Sequence, residues 1–236
     1  MITFKYRLHP SRSQRTKLMQ TLELCRSVYN ETLAIRRSTW EQEHRTLSLY
    51  DTNKLLPTWK QEHPELKGVY SQVLQNVQAR VDLAFKAFFC RSKAGEKPGY
   101  PRFRGVGRYD SITFKQFVFE LLGNGLFLSK IGVVKVILHR PIKGRIKTLT
   151  IRRDAVGNWY ACFACEVQGE HLPMSDLAIG IDMGLESFAT LSNGVKVQNP
   201  RFFRLDEKQL VKVQRKLSQA QKGTPERSKR RRAVQH

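Results

Sequence analysis

Apolar and polar residues alternate from position 2 to position 8 at the start of the chain. This period of two predicts a half-buried strand with a basic outer face. Pro10 ends the strand, and Ser11 with Gln14 three residues later forms the pattern of a helical capping box. An apolar stripe at spacings of three and four then predicts a helix that continues to about residue 37.

A second long stripe recurs at helical spacing between residues 66 and 88, and a shorter helix is predicted around 50–62. Neither long stripe can remain in water, so we expect the two long helices to pack together. Glycine and proline in the segment 93–107 end the helical part. Short strands with turn residues between them follow, which predicts an antiparallel barrel or sandwich that the first strand joins. These strands are predicted at 111–120, 124–129, 132–138, 146–153 and 159–167.

The last part of the chain has a different pattern. Residues 177–184 form a short apolar segment that contains Asp182, which predicts a strand buried on both faces. Two further strands are predicted at 186–191 and 195–198, and a helix begins near Leu205. Three strands and one helix cannot bury both faces of the central strand, so we expect this domain to be unfinished at His236.

The net charge of the chain indicates the class of partner that it binds. It has 236 residues, with 42 Lys and Arg against 20 Asp and Glu, for a net charge of +22. A surplus of this size, with an isoelectric point near 10.3, indicates a nucleic-acid partner. The hydrophobic content of 40% still permits a folded core.

Compartment and metal content can also be predicted from composition. The chain has no apolar run long enough to span a membrane and no secretory leader pattern, and its four cysteines do not form a disulfide framework. We therefore expect no membrane partner and a cytoplasmic protein. Cys162 and Cys165 form a CxxC pair within a predicted strand, without a second pair after it. We expect small strand residues on opposite faces rather than a zinc site, although a metal or redox pair is the alternative.

Basic and aromatic residues alternate in one glycine-rich loop, a combination suited to phosphate contact and to stacking on unpaired bases. The alternative is a solvated turn whose Phe103 enters the core. Basic residues of the first strand would extend this surface, and those near the end of the chain would add sequence-independent attraction or form a free tail. The predicted nucleic-acid-binding residues are Lys5, Arg7, Tyr100, Arg102, Phe103, Arg104, Arg108, Lys212, Arg215, Lys216, Arg230 and Arg231.

Asp182 is the candidate for chemistry. An aspartate in an apolar strand between Gly180 and Gly184 needs a cation, a metal ion or several N–H groups beside it. A strand with this carboxylate, followed by a meander, matches the start of an RNase H-like fold, in which the aspartate binds a divalent metal ion. An aspartate that caps a turn is one alternative. The opening strand of an actin-like ATPase is another, although Leu185 and the high positive charge fit it poorly.

The order of these features resembles the OrfB/TnpB family of insertion-sequence proteins, which are relatives of type V CRISPR effectors. The features are the first strand and capped helix, the segment Tyr100 to Arg104, the segment Gly180 to Gly184, and the basic C-terminal helix and tail. The resemblance covers nearly the whole chain but only the N-terminal part of a family member. It implies an α+β multidomain fold. The implied domains are a wedge-type β-barrel (1–10 and 93–170), an inserted helical recognition lobe (11–92) and an incomplete RNase H-like (RuvC) nuclease domain (176–236).

The resemblance also implies an activity. Family members are RNA-guided DNA endonucleases, so the implied partners are DNA and a guide RNA from the transposon end. Asp182 matches the first catalytic, metal-binding carboxylate, for which Mg²⁺ or Mn²⁺ is expected. The later Glu, Asp and zinc-ribbon cysteines of the family are not found in this sequence, so we expect no cleavage by this chain alone. The alternative is a non-catalytic RNA- or DNA-binding protein, either a guide-dependent repressor or an RNA chaperone.

Overall fold

A computed structural model of the chain describes residues 1–115, 118–169 and 178–235. It separates into two compact units, Met1–Gln168 and Gly169–His236. Most of the predicted linker after Gly169, the start of the predicted strand at Leu177, and His236 lie outside the described residues.

The helical part of the first unit follows the predicted order. Ser11 caps the first helix as expected, because its Oγ accepts a hydrogen bond from the Gln14 N–H at 3.3 Å, and Gln14 Oε1 accepts one from the Ser11 N–H at 3.0 Å. The first helix continues past residue 37, since the buried polar residues Arg36 and Thr39 extend its inner face beyond the apolar stripe. The helices are α1 (Arg12–Glu43), α2 (Leu49–Glu62) and α3 (Ser71–Lys93).

The second long helix begins later than the pattern predicts. Pro64–Gly68 forms a short 3-10 helix, and Val69 after it is extended, so Leu66 belongs to a separate turn. The two long helices do pack together, with buried residues of both in one core. This part of the prediction is confirmed.

A seven-stranded antiparallel sheet forms the rest of the first unit, in the order β2-β6-β7-β1-β5-β4-β3. The first strand joins this sheet, as the sequence predicts, and pairs with β5 on one side and with β7 on the other. The predicted strand 111–120 is two strands. The strands are β1 (Ile2–His9), β2 (Ser111–Lys115), β3 (Phe119–Leu122), β4 (Gly125–Leu128), β5 (Gly132–Ile137), β6 (Arg145–Arg153) and β7 (Trp159–Glu166).

Alternate residues of these strands face a shared interior, and the sheet is barrel-like and nearly closed. On β1 the inner residues Phe4, Tyr6 and Leu8 are buried, which leaves Lys5 and Arg7 on the outer face. The mixed architecture of helices and an antiparallel barrel-like sheet is therefore the one predicted.

The second unit contains a three-stranded antiparallel sheet in the order β10-β9-β8, followed by two helices. Its elements are β8 (Ile181–Asp182), β9 (Ser187–Leu191), β10 (Lys196–Gln198), α4 (Phe202–Gln219) and α5 (Pro225–Gln235). The prediction of a strand buried on both faces is wrong for the described residues, because both residues of β8 are exposed. Neither helix has a buried residue, so the apolar stripe of α4 is not part of a core here.

No helix in the described ranges is both long enough and apolar enough to cross a membrane.

Candidate nucleic-acid interface

The basic and aromatic loop is anchored at both ends. The Tyr100 ring packs edge-on against Phe85 and Phe88 of α3, with centroid distances of 5.6 and 5.5 Å. Tyr109 is buried, and its hydroxyl accepts a hydrogen bond of 3.2 Å from Arg80. Burial raises the pKa of Tyr109, so it remains neutral. These anchors fix where the loop leaves and rejoins the folded core.

Arg104 is held against α1 at the centre of the loop. Its backbone N–H donates to Asn30 Oδ1 at 2.8 Å, and its carbonyl accepts from Asn30 Nδ2 and Arg26 Nη1, both at 3.0 Å. Its guanidinium carbon lies 5.4 Å from the centroid of the Tyr29 ring. Arg104 is thus bound to the protein through both its backbone and its side chain.

The other candidate side chains of the loop are exposed. Phe103 is 51% exposed, so the alternative in which it enters the core is wrong. Arg102 and Arg108 are exposed as well. A turn closed by the Arg108 N–H and the Gly105 carbonyl, at 3.0 Å, shapes the end of the loop. The loop therefore presents an aromatic ring with a cation on either side of it in sequence.

A second basic surface lies on the outer face of the sheet around Tyr160. Lys5 Nζ is 4.1 Å from the centroid of this ring, and the Arg7 guanidinium carbon is 5.1 Å from it. Arg7 Nη1 also donates to the Tyr160 hydroxyl at 2.9 Å. Arg152 lies opposite Tyr160 on β6, next to Asp110 at 3.4 Å. Two cations of β1 therefore lie over one tyrosine ring, with Arg152 opposite it on β6. Two carboxylates are also near, because Asp110 pairs with Arg152 and Asp154 accepts a hydrogen bond from the Tyr160 hydroxyl.

The second unit carries the remaining basic candidates on its two helices. Lys212, Arg215 and Lys216 are exposed on α4, and Arg231 is exposed on α5. Arg230 forms an ion pair of 2.7 Å with Glu226 one turn earlier, which reduces its availability for a ligand.

Asp182 pairs with Thr190 across β8 and β9 and is exposed. Ser192 closes the other end of this hairpin, since its Oγ accepts from the Gly180 N–H at 3.0 Å. Among the described residues, no group of three or more His, Cys, Asp or Glu side chains is placed to hold a metal ion. Two-metal hydrolysis needs several carboxylates, and the described part of the chain places no cluster of that size around Asp182.

The CxxC pair lies in β7, with Cys165 buried in the sheet interior and Cys162 half-buried on the other face. Burial raises the pKa of both thiols, which disfavours the thiolate that a metal ion or disulfide exchange requires. The opposite orientation of the two side chains agrees with the prediction of ordinary strand residues.

Sequence reasoning did not identify Asn30, Arg26 or Tyr160. Tyr160 was identifiable in principle, because the alternation in β7 places it on the same face as basic residues of the neighbouring strands. Asn30 carried no such signal, since its partner Arg104 lies 74 positions later in the chain.

Two family models match this chain. Residues 1–45 match a model described as "Helix-turn-helix domain", from the OrfB proteins of IS605-type elements, and residues 162–236 match the "Probable transposase" model of the same proteins. The described fold of the first segment is β1 followed by the single long helix α1, so it contains no helix-turn-helix.

Two curated proteins align with nearly the whole chain. A protein of Streptomyces pristinaespiralis named "Putative RNA-guided DNA endonuclease" is 34% identical over 238 residues, which cover 98% of this chain and 58% of that protein. "Putative RNA-guided DNA endonuclease InsQ" of Escherichia coli (strain K12) is 28% identical over 98% of this chain and 57% of its own length. The chain therefore spans somewhat more than half the length of these relatives.

Among solved structures, a cryo-EM CRISPR-Cas12f ternary complex aligns with 90% of this chain and 55% of its own chain, at 9% identity and a TM-score of 0.46.

Proposed function

Because this chain belongs to the OrfB/TnpB family of insertion-sequence proteins, we propose that it forms the nucleic-acid-binding part of an RNA-guided DNA endonuclease. The alignment of 98% of the chain with two relatives of that name is the observation that carries the proposal. The net charge of +22 supports it, since such a surplus is neutralised well by a guide RNA and a DNA target.

The proposed division of labour follows the domains predicted from the sequence. The wedge-type barrel would be formed by residues 1–10 and 93–170, and the recognition lobe by residues 11–92. The start of an RNase H-like (RuvC) nuclease domain would be formed by residues 176–236. Guide pairing would select the target, while the protein holds the nucleic-acid backbone and reads a short flanking DNA motif. The guide would be an RNA from the transposon end.

Lys5, Arg7 and the exposed cations of the loop are the proposed phosphate contacts. An exposed lysine or arginine without a neighbouring carboxylate can neutralise a phosphate and release its counterions. Arg7 has an additional restraint, because its hydrogen bond to Tyr160 fixes the direction of the guanidinium on the outer face of the sheet. The basic residues of α4 and α5 would add attraction that does not depend on sequence.

Asp182 is proposed as one ligand of a catalytic Mg²⁺ or Mn²⁺ ion. A divalent ion would activate water and stabilise the leaving oxygen during phosphodiester hydrolysis. The described residues do not fit a complete site, because Asp182 is exposed and belongs to no group of three or more His, Cys, Asp or Glu side chains among them. We therefore derive no cleavage step from this chain. Additional metal ligands are needed for cleavage. Without them, the chain would bind its guided target and not cut it, which is the alternative function.

Guided binding tests this proposal. The chain is purified after co-expression with RNA from the flanking transposon end, and its affinity is measured for a DNA target that matches or mismatches the guide. We expect preference for the matched target and an affinity that falls steeply with salt. Equal binding to both targets, or binding that is indifferent to salt, would contradict the proposal.

Asp182→Asn separates binding from chemistry in the same assay. We expect this variant to bind the matched target as the wild type does, because its proposed role is to hold a metal ion. Where cutting of the matched target is observed with Mg²⁺, Asp182→Asn must abolish it. Undiminished cutting by this variant would refute the assignment of Asp182.

A further inference from the structure

The amide of Asn30 binds the loop backbone in the way that a neighbouring strand would. Its Oδ1 accepts from the Arg104 N–H at 2.8 Å, and its Nδ2 donates to the Arg104 carbonyl at 3.0 Å. A carboxamide is suited to this task because it contains both a donor and an acceptor. Arg26 adds a second donor to the same carbonyl, at 3.0 Å.

Arg26 is itself fixed by a carboxylate one turn earlier on α1. Its Nε lies 2.9 and 3.0 Å from the two carboxylate oxygens of Glu23, and Nη2 completes the ion pair. The Arg26 hydrogen bond lowers the pKa of Glu23, so the pair remains charged at neutral pH. Two consecutive turns of a long helix thereby hold the backbone N–H and carbonyl of one loop residue, Arg104.

The segment between the Tyr100 anchor and the Arg104 clamp is only three residues long, and it contains Arg102 and Phe103. Both side chains are exposed although the backbone is held at each end. A binding loop fixed in advance loses less conformational entropy when a ligand arrives. The clamp is therefore a means of presenting these two side chains to a partner.

We infer that Asn30 is a positioning residue that holds Phe103 and Arg102 in place to bind a nucleic-acid strand with unpaired bases. Phe103 stacks on an exposed base, and Arg102 contacts a neighbouring phosphate. Unpaired bases fit best, because a phenyl ring needs a free base face for stacking. Arg104 contributes charge but not the principal contact, since its guanidinium lies over Tyr29. This inference rests on the proposed function and deepens it.

Binding of a fluorescent twelve-nucleotide single strand to the full chain, followed by anisotropy, tests the inference. We expect Asn30→Ala to weaken binding about tenfold, as the ordering of two side chains implies. The dependence on salt should keep the wild-type slope, because the phosphate contacts are still formed in the complex. Arg102→Gln should instead reduce the magnitude of that slope by about 0.7, the value for one lost phosphate contact on a single strand.

Gln20→Ala is the matched control, because Gln20 is an exposed amide on the same helix. We expect it to bind as the wild type does. Phe103→Trp supplies a local signal as the difference from the wild type, which has three tryptophans of its own, since the added fluorescence should be quenched when a base stacks on the new ring. In the Asn30→Ala background the same quenching should require about tenfold more strand.

Thermal unfolding distinguishes positioning from loss of structure. Asn30→Ala should leave the melting temperature close to that of Gln20→Ala, while trypsin cleaves faster after Arg102 and Arg104. If Asn30→Ala does not fold, Asn30→Asp is used instead. This variant keeps the acceptor for the Arg104 N–H and loses the donor to the Arg104 carbonyl, so its affinity for the strand should be lower than that of the wild type.

Three results would each refute a different part of this inference or of the proposed function. Wild-type affinity in Asn30→Ala, or in Asn30→Asp where the alanine variant is not folded, refutes the positioning role. Preference of the wild type for a duplex of the same sequence refutes the choice of an unpaired strand. Absence of all nucleic-acid binding by the wild type refutes the proposed function itself, which is a different result from either of these.

Discussion

The two partners of the buried ion pair between α1 and α3 should contribute unequally to stability, so their substitution should lower the free energy of unfolding by different amounts. Arg36 Nη1 lies 3.0 Å from Asp82 Oδ1, and the two side chains are only 7% and 10% exposed. Lys86 approaches the other oxygen of Asp82 at 3.0 Å, with its own side chain mostly in solvent. Asp82 thus has two cationic partners, whereas Arg36 has one carboxylate.

The free energies of unfolding should reflect this difference. Asp82→Asn leaves Arg36 buried without a counter-charge, which typically costs about 3–5 kcal/mol. The amide oxygen can still accept a hydrogen bond, and the Phe85 ring lies 4.5 Å from the guanidinium, so we expect a loss near the lower limit, about 3 kcal/mol. Arg36→Met leaves Asp82 paired with Lys86, and we expect a loss of about 1.5 kcal/mol.

The pH dependence follows from the pKa of Asp82. Burial alone would raise this pKa, but hydrogen bonds from Lys86 and Arg36 outweigh burial and hold it below its ordinary value. The ionised carboxylate therefore stabilises the fold above the unfolded-state pKa of about 3.9, and this contribution is lost as the pH falls through the lower folded-state value. The difference between wild type and Asp82→Asn should be constant near neutral pH and should shrink below about pH 4.

Urea unfolding followed by far-ultraviolet circular dichroism measures these differences at several pH values. Glu41→Gln is the control, because Glu41 forms an exposed ion pair of 2.7 Å with Arg37 on the same helix. Removal of that pair should leave the free energy of unfolding nearly unchanged, because water and salt screen an exposed ion pair. Equal losses for Asp82→Asn and Arg36→Met, or a loss for Asp82→Asn that persists unchanged to pH 3, would refute this reasoning.

Three further predictions concern the outer face of the sheet, the thiols and one turn. Lys5→Gln and Arg7→Gln should each reduce the salt-dependence slope of nucleic-acid binding by about 0.7–0.9, measured by anisotropy; an unchanged slope would exclude phosphate contact. Exposed Cys90 should react quickly with a thiol reagent in the native protein, whereas Cys25, whose pKa burial raises to about 12, should react only after unfolding. Gly144→Ala should lower stability by about 2 kcal/mol in urea unfolding, because its φ of 81° is left-handed and a Cβ would collide with a backbone carbonyl of β7; a variant as stable as wild type would contradict this.

The parts of the fold that follow from local pattern were predictable. The capping box at Ser11 and the two long stripes depend on residues three or four positions apart, and the strands of the sheet depend on alternation. The extension of α1 to Glu43 was not predictable in this way. Its inner face there consists of the polar residues Arg36 and Thr39, and the arginine is buried beside Asp82 of α3, which lies 46 positions later in the chain.

In the candidate interface, too, features that depend on distant parts of the chain could not be predicted from the sequence. Exposure of Phe103 and Arg102 was one of two alternatives that the loop sequence left open, since composition does not determine whether an aromatic side chain enters a core. The clamp from Asn30 could not be predicted, because its two partners meet only after the lobe and the loop have folded. The exposure of Asp182 was also unpredicted, because an apolar strand pattern says nothing about whether a second layer covers it.

The structure of residues 1–45 changes where nucleic-acid contact is expected in this segment. A helix-turn-helix reads DNA with the second of two short helices, but here one strand precedes a single helix of 32 residues. The apolar face of this helix, from Leu18 to Leu33, is buried in the core and cannot enter a groove. The candidate contact surfaces of this segment are the outer face of β1, with Lys5 and Arg7, and the side of α1 that holds the basic and aromatic loop. We therefore expect substitutions on these two surfaces to weaken binding more than substitutions near the exposed C-terminal end of α1, which lies about 48 Å from its start.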